Sequence, residues 1–370
     1  MKSPIYLDNQ ATTPLAPEVF DAMVPWLKDH FGNPHSAHKL GRQTAAIIDV
    51  AREQLAVLLP EQGNVIFTGS ATEAINLGFG AIYQQLKRGR NEIIVLETEH
   101  AAVRDTAKSY AKIGFEVAFV PVDSNGIVSL EALKSLASSK TALIAAMLVN
   151  NEIGVIQPVE AIAELAHLHG ALMLCDAVQG YGRVAIPDNV DMIAISGHKI
   201  YGPKGIGALW TRAGLELPTL IHGGGQEKGV RSGTLSPALC VGFGKAAELC
   251  NSNLTKDMAH IEKLSDYARE LFGDWLVNGA IDRRYPGNLN LRKNGLDVGR
   301  LMSDVRDVAF SAGSACASGS GRPSHVLTAL RLEPAEVRSS IRLGFGRYTT
   351  MDEIEQAANM INSAAKAQLL

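Results

Sequence analysis

Ala142-Leu143-Ile144-Ala145-Ala146-Met147-Leu148-Val149 is the stretch that decides the fold class. It is apolar at every position instead of at alternate ones, which fits a strand covered on both faces. It is far shorter than the roughly 20 residues a membrane-crossing helix needs. Further short runs rich in Val, Ile and Ala read the same way: Asn64–Thr68, Glu92–Leu96, Val117–Val120, Leu172–Cys175, Met192–Ile195 and Ala208–Thr211. Longer amphipathic stretches separate most of them, and Gln43–Leu58, Glu73–Lys87 and Val159–His169 are expected helices. Strands alternating with helices predict an α/β fold. After about Leu249 the pattern changes. Leu254–Leu271 reads as one long amphipathic helix, followed by short strands at Asn288–Leu291, Val308–Ser311 and Ser340–Leu343. A last helix starts near Thr350, which has capping-box spacing to Glu353. A domain boundary is expected near Ser252.

At 370 residues the chain is too long for one simple core. Its net charge of -3 gives no basis for nucleic-acid or membrane-surface binding. The opening residues MKSPIYLDNQATTP have neither an apolar signal core nor an Arg/Ser-rich transit pattern, so the expected location is the cytoplasm. The cysteines Cys175, Cys240, Cys250 and Cys316 form no Cys-x-x-Cys pair. His35/His38 and His167/His169 have no third ligand nearby, so no metal is expected.

The segments that could carry chemistry sit at strand ends. Gly69-Ser70-Ala71-Thr72-Glu73 follows a strand and opens a helix, with Ser70 and Glu73 at capping-box spacing; the geometry suits phosphate, but taken alone the segment reads first as a plain capped helix. Asp176 closes a buried strand, where α/β proteins bind ligands, and Gln179 follows it three residues on. Ser196-Gly197-His198-Lys199 ends another strand. A lysine beside a buried crevice could form a Schiff base, and Lys204 in the following Pro/Gly turn is its rival. His100 follows Thr98-Glu99 at a strand end and could stack on a ring or move protons. Arg342 lies within an apolar strand and needs an anionic partner if buried. Cys316 sits in Ser311-Ala312-Gly313-Ser314-Ala315-Cys316-Ala317-Ser318-Gly319, small residues that leave a thiol accessible. The other cysteines lie in apolar stretches and are expected to be buried.

Taken together and in this order, these segments resemble the cysteine desulfurases of the NifS/IscS type, within the class V aminotransferase group of pyridoxal-phosphate enzymes. The resemblance runs from Tyr6–Pro14 through Phe31–Pro34, Gly69–Glu73, Thr98–His100, Val149–Gly154, Asp176–Gln179, Ser196–Gly207, His222–Glu227, Arg231–Thr234 and Ser311–Cys316 to Ser339–Arg347. It implies the type I fold of pyridoxal-phosphate-dependent transferases. A large domain over residues 15–252 would carry a mixed, mostly parallel seven-stranded sheet. A small α/β domain would combine residues 1–14 and 253–370 and carry the cysteine loop.

The resemblance also implies roles. Lys199 would bond the cofactor, Asp176 would pair with its ring nitrogen and Gln179 with its ring hydroxyl. His100 would stack on the ring and move protons. Ala71, Thr72, Ser196 and His198 would hold the phosphate, and Thr234 would reach the phosphate of a second subunit in a homodimer. Asn151 and Arg342 would bind the substrate carboxylate. Cys316 would take sulfur from L-cysteine, leaving L-alanine, and pass it to an acceptor such as an iron–sulfur scaffold protein. The alternatives are a selenocysteine lyase or another pyridoxal-phosphate-dependent lyase of the same fold, and Cys316 argues against the second. A non-catalytic scaffold is disfavoured by the presence of Lys199 and Cys316, and a dinucleotide-binding oxidoreductase by the lack of GxGxxG.

Overall fold

The structure, a computed structural model, describes residues 4–312 and 323–369. After a short opening strand β1 (Ile5–Tyr6) come β2 (Gly63–Thr68), β3 (Glu92–Leu96), β4 (Glu116–Val120), β5 (Thr141–Met147), β6 (Leu172–Asp176), β7 (Met192–Ser196) and β8 (Gly207–Arg212). Strands β2 to β8 build one seven-stranded sheet in the order β2-β8-β7-β6-β5-β3-β4. β8 runs antiparallel to both neighbours, and the other pairings are parallel. The carboxyl ends of all strands but β8 therefore lie along one edge, and β8 brings its amino end there. The observed strands match the expected ones to within two residues.

The unbroken apolar runs have a direct cause. Ile93 and Val95 join one buried cluster, whereas Ile94 and Leu96 join another. Leu174 faces one cluster, Met173 and Cys175 the other. Helices such as Ala71–Gly80 and Ala101–Ala111 cover one face, and Lys39–Ala56 and Val159–Leu168 the other. Neither set of side chains meets water. The helix expected over 73–87 is two pieces, Ala71–Gly80 and Tyr83–Leu86. The tight bonds Ala81 N–H to Gly78 O and Ile82 N–H to Phe79 O end the first piece.

The long helix expected to start at Leu254 starts at Pro237 and runs unbroken for 35 residues to Leu271, capped by Ser236. Its Val-Gly-Phe-Gly stretch discourages a helical reading, yet the glycines are what let it pack. A Cβ on Gly242 would lie 2.6 Å from Met23 Sδ, and one on Gly244 2.8 Å from the Ala51 Cα. The first half of the helix packs Cys240, Phe243 and Ala247 against the large core. Its end packs Leu264 and Ala268 into a second core with Phe272, Leu289, Leu343 and Ile361.

That second core is built on β9 (Leu276–Val277), β10 (Asn288–Arg292), β11 (Val308–Ala309) and β12 (Ser340–Gly344). β10 pairs antiparallel with both β9 and β12, and β1 returns to pair parallel with β11. Thr350 caps the final helix with Glu353 as expected. Among the described residues no helix is long and apolar enough to cross a membrane.

Gly244→Ala tests the close helix crossing. Alanine favours an isolated helix by about 1 kcal/mol, but overpacking costs about 1–3 kcal/mol. A lower midpoint of thermal unfolding by circular dichroism is expected, and a raised midpoint would show that the crossing is not tight.

Candidate active site

The aligned strand ends enclose a cavity of about 460 Å³. Gly69–Thr72 enter from β2, His100 from beyond β3, and Asn151 from beyond β5. Asp176 and Gln179 enter from β6, and Ser196, His198 and Lys199 from β7. The remaining wall comes from elsewhere in the chain: Gln10, Ala11 and Thr12 follow β1, and Arg342 reaches in from β12. A larger cavity of about 560 Å³, between the helix Lys39–Ala56, β2 and the 215–235 region, is lined by none of the expected site residues that lie among the described residues.

Ser70 caps the helix Ala71–Gly80 by accepting from the Glu73 N–H at 3.2 Å. The reciprocal half of the expected capping box goes elsewhere. Glu73 Oε2 accepts from the Gly69 N–H at 2.7 Å, and Glu73 Oε1 pairs with Arg231 Nε at 2.7 Å. The carboxylate thus braces the turn, and the first N–H groups of the helix are left without intrahelical acceptors. Gly207 allows this, since a Cβ there would lie 2.6 Å from the Ala71 nitrogen.

Lys199 Nζ donates to Gln10 O at 2.6 Å and Ala11 O at 2.7 Å. Arg183, not anticipated from the sequence, donates to both the Lys199 carbonyl and Gln179 Oε1, and Gln179 Nε2 donates to Gln10 O at 2.8 Å. Lys204 lines the cavity but is exposed. Asp176 is 5% exposed, and its Oδ1 accepts from the Val178 N–H at 3.0 Å. Burial raises its carboxyl above the ordinary value, and His100, that N–H and Lys199 pull it back. His100 Nδ1 caps the helix Ala101–Ala111 by accepting from the Ala102 N–H at 3.1 Å, which leaves Nε2 to carry the ring proton.

Glu99, a second unanticipated group, is fully buried. Burial and then Asp176 push its carboxyl well above the usual range, and Oε1 accepts from the Met147 N–H. Arg342 is 1% exposed and pairs with Asp8 Oδ1 at 2.6 Å, and its Nη1 donates to the Asn151 carbonyl at 2.9 Å. The Thr12–His198 contact (Oγ1 to Nδ1, 3.2 Å) completes the wall.

Thr234 is exposed and does not line the cavity of its own chain. Cys316 lies outside the described residues. Cys175, Cys240 and Cys250 are all buried, and burial raises each thiol above its ordinary value.

Residues 5–357 match the family described as Aminotransferase class-V. The chain belongs to the class V aminotransferases. Similar members include the cysteine desulfurase IscS of Rickettsia akari (strain Hartford), 41% identical over 97% of this chain and 90% of the relative. The enzyme of the same name from Rickettsia bellii (strain OSU 85-389) is 42% identical over the same shares. Among solved structures, a NifS-like protein superposes with a TM-score of 0.91 at 31% identity, covering 99% of this chain and 100% of that one. SspA in complex with cysteine gives 0.82 at 34% identity, covering 93% and 99%. The seven-stranded sheet is thus that of the NifS-like class V aminotransferases, which depend on pyridoxal phosphate.

His198 provides a pH test of the site's packing. Burial, Lys199, Lys204 and Arg183 lower its pKa from 6.5 to about 4. The unfolded chain takes up this proton near 6.5 and the folded chain only near 4. The stability due to the neutral ring is therefore whole above pH 6.5 and declines as pH falls towards 4. His198→Gln is expected to flatten that part of the stability profile. Parallel profiles for the two proteins over this window would refute the assignment.

Proposed function

We infer that this class V aminotransferase is a cysteine desulfurase, which converts L-cysteine to L-alanine and places the sulfur on Cys316. The observation that carries the reading is a convergence. A carboxylate in a dry site (Asp176), an amine (Lys199) and a buried guanidinium (Arg342) from the second core all line one cavity.

The residues fit pyridoxal 5'-phosphate. The helix start at Ala71 and Thr72, with Ser196 and His198, offers donors for a phosphate. Asp176 needs a cationic partner to remain charged where it is buried, and a protonated ring nitrogen of the cofactor would supply one. Gln179 and His100 would flank the ring. When bound, the cofactor supplies an electron sink that acidifies the amino acid's Cα proton. Arg342 and Asn151 hold the substrate carboxylate. Lys199 Nζ, released from the Gln10 and Ala11 carbonyls, takes the Cα proton, and His100 holds a proton at Nε2 beside it. The Cys316 thiolate attacks the substrate sulfur, the carbon–sulfur bond breaks, and the carbon fragment is protonated and leaves as alanine. The sealed state of Cys175, Cys240 and Cys250 supports giving this role to Cys316.

In the same reading, the exposed Thr234 reaches the phosphate site of a second copy, so the enzyme is a homodimer with shared sites. The large domain 15–252 carries the sheet, and 1–14 with 253–370 form the small domain. The enzyme works in the cytoplasm and passes its sulfur to an acceptor such as an iron–sulfur scaffold protein.

The purified protein should be yellow and, given L-cysteine and a reductant, form alanine and sulfide in equal amounts. A colourless protein unable to take up pyridoxal phosphate would overturn the reading. Cys316→Ser should keep the visible band and lose sulfide release, and normal turnover would remove Cys316 from the mechanism. Lys199→Ala should lose the band of the lysine-bound cofactor and slow turnover by about 10²–10⁴-fold. An unchanged spectrum would sink that assignment.

A further inference from the structure

Arg342 is not waiting with an open fork. Its Nη2 donates to Asp8 Oδ1 at 2.6 Å and to Ser311 Oγ at 3.3 Å, and Ser311 Oγ donates to Asp8 Oδ2 at 2.9 Å. Its Nη1 donates to the Asn151 carbonyl. Its Nε is buried and, among the described residues, has no hydrogen-bond partner. A guanidinium grips a carboxylate with two parallel bonds, either from Nη1 and Nη2 or from Nε and Nη2. Both grips require a proton of Nη2, and both of its protons are directed at Asp8 and Ser311. The second grip would also satisfy the Nε that is otherwise left without a partner.

We propose that Asp8 is a positioning residue that stands in for the substrate carboxylate on Arg342 and is exchanged for it when the amino acid binds. This rests on the reading of Arg342 as the carboxylate-binding residue. The physical need is plain: leaving a guanidinium that is 1% exposed to solvent without an anionic partner is costly. Exchanging one carboxylate for another keeps that pairing throughout. Asp8 is suited to leaving, because its side chain is 16% exposed and Ser311 Oγ can continue to donate to it after Arg342 turns away. Its backbone stays in place, bridged to Gly344 at the end of β12. Asp8 thereby sets the affinity for any ligand with an α-carboxylate and is indifferent to an amine that has none.

The test is calorimetric titration of the cofactor-loaded protein with L-alanine, and with ethylamine as the analogue lacking the carboxylate. If Arg342 is open about one-tenth of the time, Asp8→Asn should tighten L-alanine about tenfold and leave ethylamine unchanged. Unchanged or weaker L-alanine binding would overturn the proposal. So would a tightening of L-alanine matched by a weakening of ethylamine, which would mark a general field effect instead of an exchange. Ser311→Ala, which only loosens Asp8, should tighten L-alanine about two- to threefold. It carries the test if Asp8→Asn does not fold, and no change there would count against the exchange. Arg342→Lys separates the two levels. If it leaves L-alanine affinity untouched, the carboxylate reading fails and the proposal with it. If it weakens L-alanine while the Asp8 and Ser311 variants do nothing, only the exchange fails.

Discussion

The site depends on the backbone of residues 7–13, which is bonded to both cores. At one end the Leu7 N–H donates to Ala309 O at 2.9 Å, and the Gly344 N–H donates to Leu7 O at 2.7 Å. At the other end the Thr13 N–H donates to His198 O at 2.9 Å, and Thr13 Oγ1 accepts from the Tyr201 N–H at 2.7 Å. Between these anchors the carbonyls of Gln10 and Ala11 receive Lys199. Arg342 belongs to the second core and Lys199 to the first, and this segment holds them on one cavity. A buried backbone has to satisfy its polar groups, and here it does so with groups of the site itself.

Charge placement follows from the same exclusion of water. Asp176 and Glu99 are two carboxyls at the ends of nearby strands, and burial raises both. Asp176 is drawn back by His100 and Lys199, whereas Glu99 is raised further by Asp176 itself. Nearby acids separate in this way because a second buried negative charge costs more than a proton. One of the two is left as the natural partner for a cation in the cavity. The bases are treated alike: His198, among Lys199, Lys204 and Arg183, is kept neutral.

Some features were legible because they are local. The doubly covered strands declare themselves in unbroken apolar runs, and Asp176, Lys199 and His100 stand at strand ends, where such sheets place ligands. Other features were not. Val241-Gly242-Phe243-Gly244 argues against a helix until Met23 and Ala51 are seen to need the space that the glycines leave. The Ser70/Glu73 spacing announces a capping box, but Arg231, far along the chain, draws the carboxylate to another task. Arg183 carries no local signal, and Glu99 stands within the Thr98–His100 segment without announcing a role, because the importance of both comes from burial and from partners supplied by other elements.

The sequence by itself determined the α/β class, the strands of the large sheet and the residue types that chemistry requires, since these follow from periodicity, capping and side-chain chemistry within a few residues. Tertiary structure alone decided that the first strand returns beside residues 308–309, that one helix serves two cores, and that Asp8 rather than water partners Arg342. Those outcomes join residues separated by up to 334 positions. No window of sequence contains both partners, and only the packing of the whole chain sets which groups lose their water and must find one another.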